Sequence, residues 1–494
     1  MKAHVAVVGA GITGLAAAHT LIKTGVHVTV IEARQTVGGL AASQDFGDFH
    51  WDRFYHCVLT SDLSLLRLLN DIGLRDKLCW RKTEVGFYSN NALHTMTRPV
   101  DLLRFPCMSL WSKLRFGLGI LYAARICDGA GLEAVPLKDW IVRVFGSTVY
   151  REMWEPLLRC KLGEMRSQAS AAFLWATIRR LYSTRSDGVK KEEQLGYVEG
   201  GYRVVMDRLV DNIRANGGII QTGTSLKRVE PTADGIGLTA RGGAFSEFDA
   251  CLMTVPAPAI REVVPALSDE YRASLGMPQY LGMVCAAVVL SHRLSPYYLT
   301  NVTQEAPFTG IVEMTNLIDA AKETNGHALI YLPKYTSPSD PLFALHDREV
   351  WQQFSIALFR IHPQLRPEDI LSIRIFRERF VQPVPTLNYS SQAPTVATGV
   401  SHLFVANTTQ IVNDTLNNNA MVGIAENACN LVIEDLEKQA VRRAEAARAH
   451  APLNRHGSPD VSEVNRHDCH NSCDIRFGDA HRTSAAPSHR WHAG

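Results

Sequence analysis

The sequence lacks any excess of charge of one sign: 51 lysines and arginines stand against 49 aspartates and glutamates, a net charge of +2 over 494 residues. Nucleic-acid-binding chains normally carry a clear basic excess, so that class is excluded. Apolar residues make up 46% of the chain, which excludes a disordered protein and is ordinary for a globular one. Because 494 residues are more than a single hydrophobic core usually supports, we expect two interleaved or sequential domains.

Paired cysteines and long hydrophobic runs are also missing. The ten cysteines are irregularly spaced and never form Cys-x-x-Cys, which excludes a disulfide framework and favours a reducing compartment. The run that could most suggest a membrane span, Phe116–Ala124, lies between Arg115 and Arg125 and is about half of the roughly 20 residues that span a bilayer. We therefore expect a cytoplasmic protein, with membrane association left open.

No metal-ligand spacing and no nucleophile–base signature stand out. The segment His467–Cys473 resembles a metal knot only superficially, because no second pair of ligands accompanies it. The surrounding sequence is rich in Ala, Arg and His and then in Ser, Pro and His, so residues 438–494 are interpreted as a disordered tail. No metal site is expected.

A nucleotide-binding pattern opens the chain. A β-branched run over residues 3–8 is followed by Gly9-x-Gly11-x-x-Gly14, a helical stretch and a second strand that ends at Glu32. In such a unit Gly9 permits a tight turn, Gly11 lets the backbone approach a pyrophosphate, and Gly14 allows the helix to pack on the strand. The helix N-terminus attracts phosphates, and the Glu32 carboxylate suits ribose hydroxyls.

A second glycine motif follows the first, in Ala33-Arg34 and then Gly38-Gly39-Leu40. Together with Glu32 it resembles the motif of flavin enzymes in the amine oxidase, protoporphyrinogen oxidase and phytoene desaturase superfamily. The resemblance implies FAD as the cofactor, with the arginine and glycines against its phosphates. Residues 197–209, 224–230 and 248–256 are similar to later segments of that superfamily, which would place Val229 at the adenine.

The last superfamily motif departs from its usual form. Members usually end a strand in Gly-Asp or Gly-Glu, whereas here residues 403–406 lead into Asn407, which is not a carboxylate. Asn407 could still bond a ribityl hydroxyl, and residues 413–421, ending at Met421, could present backbone N–H groups to the flavin. The change leaves FAD binding expected and puts oxidase behaviour in question.

The resemblance implies an α/β fold: a Rossmann-like FAD-binding domain of the GR2 type, interleaved with a helical cap and a mixed-sheet substrate domain. The expected FAD-binding parts are residues 1–75, 195–260 and 381–437. The cap is expected over residues 76–194 and the substrate-domain sheet over 261–380.

Catalytic candidates come from three places. His56 and Arg53 follow the second glycine motif, in a segment that also faintly resembles one of UDP-galactopyranose mutase, and could bind an anionic substrate or transfer a proton. Arg377, with Arg379 and Tyr389, would lie on a strand and turn over the flavin. Lys161 is a third possibility. A structural histidine, edge-strand charges and a solvated lysine are the respective alternatives.

Three functions remain open at this stage. The first is oxidation or desaturation of a lipid-like, amine or ring substrate by hydride transfer to FAD. The second is a redox-neutral nucleotide-sugar mutase, and the third a flavin-binding protein without turnover. The partner is a small or lipid-like molecule; the helix around residues 114–126, with Lys113, Arg115 and Arg125, is predicted to be buried rather than to rest on a membrane. The oligomeric state is left open.

Overall fold

The computed structural model describes residues 2–106, 108–183 and 194–449. Its helices are α1 (Ile12–Lys23), α2 (Leu63–Asp71), α3 (Pro99–Arg104), α4 (Leu110–Arg125), α5 (Ala130–Glu133), α6 (Leu137–Phe145), α7 (Ser147–Val149), α8 (Glu155–Leu162), α9 (Ala171–Ser183), α10 (Gly201–Ala215), α11 (Ala257–Val263), α12 (Asp269–Gly276), α13 (Ala320–Glu323), α14 (Asp347–Ile361) and α15 (Asn418–Ala449).

The strands are β1 (His4–Val8), β2 (His27–Ile31), β3 (Ser43–Asp45), β4 (His50–Asp52), β5 (Leu78–Lys82), β6 (Glu84–Ser89), β7 (Ala92–Thr95), β8 (Gln194–Val198), β9 (Ile219–Gln221), β10 (Leu226–Pro231), β11 (Ile236–Ala240), β12 (Phe245–Phe248), β13 (Ala250–Met253), β14 (Tyr280–Leu290), β15 (Tyr297–Val302), β16 (Gly310–Glu313), β17 (Ala328–Thr336), β18 (Ile370–Pro383) and β19 (Leu403–Val405).

A five-stranded parallel sheet in the order β19-β13-β1-β2-β9 forms the nucleotide-binding part. Strands β1, β2, β13 and β19 are short and almost wholly buried, whereas the edge strand β9 is partly exposed. Helices α1, α10 and α15 pack on one face in a single apolar core. The Rossmann-like fold predicted from the sequence is confirmed.

A seven-stranded mixed sheet in the order β18-β14-β17-β16-β15-β6-β7 forms the second part. All eleven residues of β14 are buried, because β17 and β18 flank it and both of its faces meet apolar clusters. The sheet thus separates the core under α14 from the core that faces the nucleotide-binding part.

The helical cap is present but begins later than predicted. Residues 78–95 form β5, β6 and β7, and β6 pairs in parallel with β15 of the large sheet. Helices begin at Pro99 and run to α9, around a core that includes Trp140, Phe145 and Trp175. The predicted loop before Gln194 lies largely outside the described residues.

The last helix also extends further along the chain than predicted. Helix α15 continues to Ala449, so the boundary predicted at residue 438 falls inside a helix. The chain divides into residues 1–442, which contain every described sheet, and residues 443–494, of which only the end of α15 is described. The tail from residue 450, including the segment His467–Cys473, lies outside the described residues. Within the described ranges, no helix has both the length and the apolar character that crossing a bilayer requires.

Candidate functional site

The first glycine motif forms a tight turn between β1 and α1. Gly9 has φ +107°, and its N–H donates to the Ile31 carbonyl at 2.8 Å. A Cβ on Gly14 would lie 1.9 Å from the Gly9 carbonyl oxygen, so only glycine allows the helix to start this close to the strand. The Thr254 hydroxyl donates to the Val8 and Gly9 carbonyl oxygens at 2.9 and 3.2 Å and fixes the turn against β13.

The second glycine motif lies directly against the first. Gly38 has φ +112°, and its N–H donates to the Ala10 carbonyl at 2.7 Å, which holds the two turns together. A Cβ on Gly11 would meet within 4 Å only the Cα of Gly39, at 3.9 Å. Gly11 is the N-cap residue of α1, and because it is a glycine, no side chain accepts hydrogen bonds from the first helical N–H groups. The two turns therefore frame an open cradle at a helix N-terminus, suited to a pyrophosphate.

The Glu32 carboxylate lies beside this cradle. Its Oε2 accepts from the Ala10 N–H and its Oε1 from the Arg34 N–H, both at 2.8 Å. Each oxygen retains a lone pair, so the oriented carboxylate can still accept from ribose hydroxyls. Glu32 lines a cavity of about 140 Å³ together with Gly9, Ala33, Leu226 and Val255.

Other residues of this cavity were not proposed individually from the sequence, although Thr224 and Ser225 begin the segment 224–230 that resembles the flavin enzymes. Thr224 and Ser225 line it ahead of β10, and Arg241 and Glu262 form an exposed ion pair of 2.6 Å among its lining residues. The side chain of Val229 is fully buried in the core, and a backbone contact of this residue with the adenine stays a prediction. Leu226, at the start of the same strand, lines the cavity, and the register of β10 against β11 shifts between Leu226 and Arg228.

Among the remaining cofactor candidates, Arg34 is exposed and ion-paired, whereas Leu40 and Met421 pack on apolar cores. Arg34 forms a 2.8 Å ion pair with Glu378 of β18, and the pKa of its guanidinium is raised chiefly by that hydrogen bond. Leu40 lies in the short helical turn after Gly39 and packs on the core that faces the large sheet. Met421 is buried in α15.

Asn407 is buried and already bonded. Its Nδ2 donates to the Val255 carbonyl at 2.9 Å, and its Oδ1 accepts from the Thr409 N–H at 3.0 Å and from the Thr409 hydroxyl at 2.6 Å. The side chain thus ties the end of β19 to the end of β13. A bond from Asn407 to a ribityl hydroxyl stays a prediction.

His56 and Arg53 lie on the loop that follows β4. His56 Nδ1 lies 3.4 Å from Oδ2 of the buried Asp52, outside hydrogen-bonding geometry, and Arg53 Nε is buried. Neither nitrogen has a hydrogen-bond partner among the described residues. Asp52 itself accepts a hydrogen bond from the Tyr202 N–H at 2.9 Å and so caps α10. The sequence gives only an indirect sign of this role, because Gly200 and Gly201 have no side chain that could cap the helix. Buried polar groups without partners are uncommon and point to a ligand on this loop.

Lys161 is on α8, at the inner side of the cap. Its ammonium lies 5.8 Å from the centroid of the Phe173 ring, and within the described ranges no carboxylate pairs with it. Burial lowers the pKa of Lys161, and the nearby Arg180 guanidinium lowers that pKa further. Lys161, proposed from the sequence, is therefore a lysine whose pKa is lowered by its surroundings.

Arg377 and Arg379 lie on the opposite face of β18 from the residues that meet the nucleotide-binding part. Arg377 donates to Asp347 at 2.6 Å and to the Leu345 carbonyl at 2.8 Å, and Arg379 stacks on Phe343. Phe376 and Glu378, which alternate with them, contact Phe54 and Arg34. The sequence identified the correct strand, but the prediction that these arginines face the flavin assigned them to the wrong side of it.

Tyr389 is buried and donates to the Thr409 carbonyl at 2.7 Å, beside the Asn407 turn. Two other tyrosines, missed in the sequence, lie between the cap core and the core of the large sheet. The Tyr55 and Tyr335 hydroxyls are 3.0 Å apart, and burial followed by the Tyr335 contact raises the pKa of Tyr55 well above its usual value. Burial raises the pKa of both tyrosines, so both phenols are neutral, and Tyr55 directly precedes His56 in the chain.

A known protein family matches most of the chain. Residues 12–408 match the model of a protein family, the flavin containing amine oxidoreductases. The chain belongs to this family. FAD is accordingly the cofactor, and the glycine cradle, the oriented Glu32 and the unpartnered nitrogens of Arg53 and His56 fit it.

Individual relatives cover different parts of the chain. Protoporphyrinogen oxidase 2 of Arabidopsis thaliana is 31% identical over 31% of this chain and 32% of its own length. Hydroxysqualene dehydroxylase of Rhodopseudomonas palustris is 27% identical over 58% of this chain and 73% of its own. The chain thus spans about a third of the first relative and about three quarters of the second.

Among solved structures, reduced UDP-galactopyranose mutase superposes with a TM-score of 0.69, over 88% of this chain and 96% of its own, at 15% identity. That likeness establishes a shared fold alone.

Proposed function

We propose that this protein is an FAD-dependent oxidoreductase that oxidises or desaturates a lipid-like small molecule. The carrying observation is the nucleotide cradle at Gly11 and Gly39 with the oriented Glu32 carboxylate beside it. Bound FAD supplies a hydride acceptor at its N5 atom. The chain's own task is then to hold the substrate, exclude water and orient the reacting carbon.

The charges near the cap favour a neutral or anionic substrate over a cationic amine. Lys161 has no carboxylate partner among the described residues, and the nearby Arg180 is already paired with Asp62. A protonated amine beside Lys161 would meet a like charge, which is unfavourable in a partly buried site. The apolar rings of Tyr55 and Tyr335 suit a hydrocarbon, and the lysine ammonium suits a polar or anionic head.

A nucleotide-sugar mutase is the second candidate. The same cations could bind a diphosphate, and the fold is shared with UDP-galactopyranose mutase. In this case the flavin must be reduced beforehand, and no electron acceptor is consumed.

Anaerobic spectroscopy of the FAD-loaded protein separates the candidates. Loss of the flavin absorbance on addition of a prenyl hydrocarbon or its alcohol, and its return on admission of air or a quinone, is the expected result. Turnover of a nucleotide sugar only after dithionite reduction would replace the proposal with the mutase. A flavin that stays oxidised with every substrate class would leave a flavin-binding protein without turnover.

A lipid-like substrate also implies that the protein collects it from a lipid phase. Peripheral contact between the cap and a membrane is therefore part of the proposal, and the surface that makes this contact is identified below.

A further inference from the structure

One face of α4 exposes large apolar side chains to solvent. They are Leu110, Trp111, Leu114, Leu118, Leu121 and Tyr122. At 100° per residue these positions fall within an arc of about 120°. With Val100 and Leu103 of α3, they are eight of the 17 large apolar side chains that are exposed in the described part of the chain. We call these eight residues the α3–α4 face.

The opposite side of α4 anchors the helix to the cap. Ser112, Gly119 and Ala123 are buried, and a Cβ on Gly119 would lie 2.6 Å from the Phe145 ring. Leu110 and Trp111 on the outer side are 74% and 72% exposed. The prediction of a buried helix is thus correct for one side of α4 and wrong for the other, where a contiguous apolar surface marks a binding site.

Residues 98–125, which contain the α3–α4 face, are predominantly basic. Residues 98–125 contain five basic side chains and one acidic side chain, Asp101, which is buried and accepts from the Arg98 N–H at 2.8 Å. Lys113 and Arg115 are bonded to backbone carbonyls at the ends of α3 and α6. Arg104 and Arg125, the last residues of α3 and α4, remain exposed.

A shallow cavity of about 410 Å³ adjoins the same face. Leu118 and Tyr122 line it from α4, and the exposed Arg143 lines it from α6. An apolar strip with a basic rim and an arginine-lined depression matches the chemistry of a phospholipid, whose acyl chains are apolar and whose headgroup carries phosphate.

We propose that the α3–α4 face binds the surface of an anionic phospholipid membrane. The leucines and Trp111 enter the boundary between headgroups and acyl chains, and Arg104, Arg125 and Arg143 meet the phosphates. Trp111 and Tyr122 lie near opposite ends of α4, and such amphipathic rings favour this boundary. The inference deepens the proposed function, on whose lipid-like substrate it rests.

A second copy of the chain fits this face less well. A twofold contact brings the same surface of each copy together, so arginines on the rim would meet arginines. Among residues 98–125 the single carboxylate is buried and cannot pair with them. An anionic lipid layer supplies the missing opposite charge.

The test is co-sedimentation of the full-length, FAD-loaded protein with vesicles of phosphatidylcholine alone or mixed with phosphatidylglycerol. We expect binding to the mixed vesicles and weakening with added salt. Leu114→Gln combined with Leu118→Gln removes two exposed side chains and should reduce binding about tenfold or more. Ile356→Gln, which changes a 68% exposed side chain on α14, is the matched control and should have no effect.

The charge is tested separately. Arg104→Gln combined with Arg125→Gln should reduce binding to the mixed vesicles by about fivefold for each charge removed. Arg214→Gln, at an exposed position of α10, is the control. FAD content, measured for each variant, verifies folding without any turnover assay, so a failed search for substrate leaves this result intact.

Three results would overturn the inference. The first is no sedimentation with either vesicle, and the second is binding that both double variants leave unchanged. The third is a dimer without vesicles that Leu114→Gln with Leu118→Gln dissociates, since the face would then bind a second copy.

Discussion

Arg180 of the cap and Asp62 of the nucleotide-binding part form a buried ion pair, in which Arg180 Nη2 lies 3.2 Å from both carboxylate oxygens of Asp62. The side chains are 17% and 4% exposed. Arg180 Nη1 also donates to the Thr415 hydroxyl at 3.0 Å, just before α15. The pair thus joins α9 to two segments that border the nucleotide-binding core.

Arg180→Met should destabilise the protein by about 3 kcal/mol at neutral pH, because Asp62 would stay buried without its cation. Burial already raises the pKa of Asp62, and loss of Arg180 would raise that pKa further. The penalty applies to the ionised carboxylate, so it should diminish as the pH falls and Asp62 takes up a proton.

Urea unfolding at several pH values measures this effect. Arg203→Met is the control: Arg203 and Asp207 form an exposed pair, and the loss should stay within about 0.5 kcal/mol. Equal losses in the two variants would contradict a structural role for the Arg180–Asp62 pair.

Gly11→Val should abolish FAD binding while the apoprotein still folds. Gly11 has φ −76°, which any residue adopts, and a Cβ there would meet within 4 Å only Gly39 Cα. The Cβ of the added side chain would therefore lie in the pyrophosphate cradle without clashing with the protein. Flavin absorbance and circular dichroism of the purified variant give the two readouts.

Gly117→Val on α4 is the matched control, since a Cβ there meets nothing within 4 Å and the position is remote from the cradle. It should retain full flavin. Full flavin in Gly11→Val would show that the cradle does not hold the cofactor.

His362 should make stability depend on pH between about 4 and 6.5. Its ring is 1% exposed, Nε2 has no partner among the described residues, and burial lowers its pKa to about 4. The folded-state pKa of His362 lies below its unfolded value, so taking up a proton favours the unfolded state. The stability that the neutral ring allows is fully present above pH 6.5 and is lost as the pH falls from 6.5 to about 4. The loss amounts to about 3 kcal/mol at pH 4.

The measurement compares the free energy of unfolding of the wild type with that of His362→Phe, which cannot take a proton. The difference should shift by about 3 kcal/mol between pH 7 and pH 4, to the disadvantage of the wild type. His50→Phe, at a side chain that is 48% exposed, should show no comparable shift. A constant difference for His362→Phe would refute the assignment.

Lys161→Met should raise the substrate concentration needed for half-maximal flavin reduction by about tenfold or more, since a charged hydrogen bond is lost. Lys161→Arg should restore part of the affinity, and FAD content should be unchanged in both. Because the pKa of Lys161 is lowered, affinity in the wild type should fall with rising pH well before an ordinary lysine would titrate. Lys138→Met, on the exposed side of α6, is the control.

Local spacing located the two glycine turns and Glu32, but it could not show what surrounds the catalytic candidates. Glu32 could be located because a strand, a helix and a second strand of fixed length place it beside the glycine turn. Which side chains of β10 line the cavity could not be predicted, because an irregular register in that strand is invisible in sequence. Arg377 was misassigned because alternation along a strand shows which residues share a face, but not what that face meets.

Long-range contacts were beyond prediction for a different reason. Asp62 and Arg180 are 118 residues apart, and neither carries a local motif. The periodicity of α4 indicates an apolar stripe, but whether protein, lipid or water covers that stripe depends on the rest of the fold.

The order of the parallel sheet, β19-β13-β1-β2-β9, has a consequence for synthesis of the chain. Its strands come from residues as early as His4 and as late as Val405, so a ribosome must complete more than four fifths of the polypeptide before the last edge strand can pair. The glycine turn at residues 9–14 emerges first, yet its partner strand β13 arrives some 240 residues later. Such distant pairing slows folding and leaves early strands exposed to aggregation. Flavin supply and chaperone capacity should therefore govern the yield of active protein from a heterologous host.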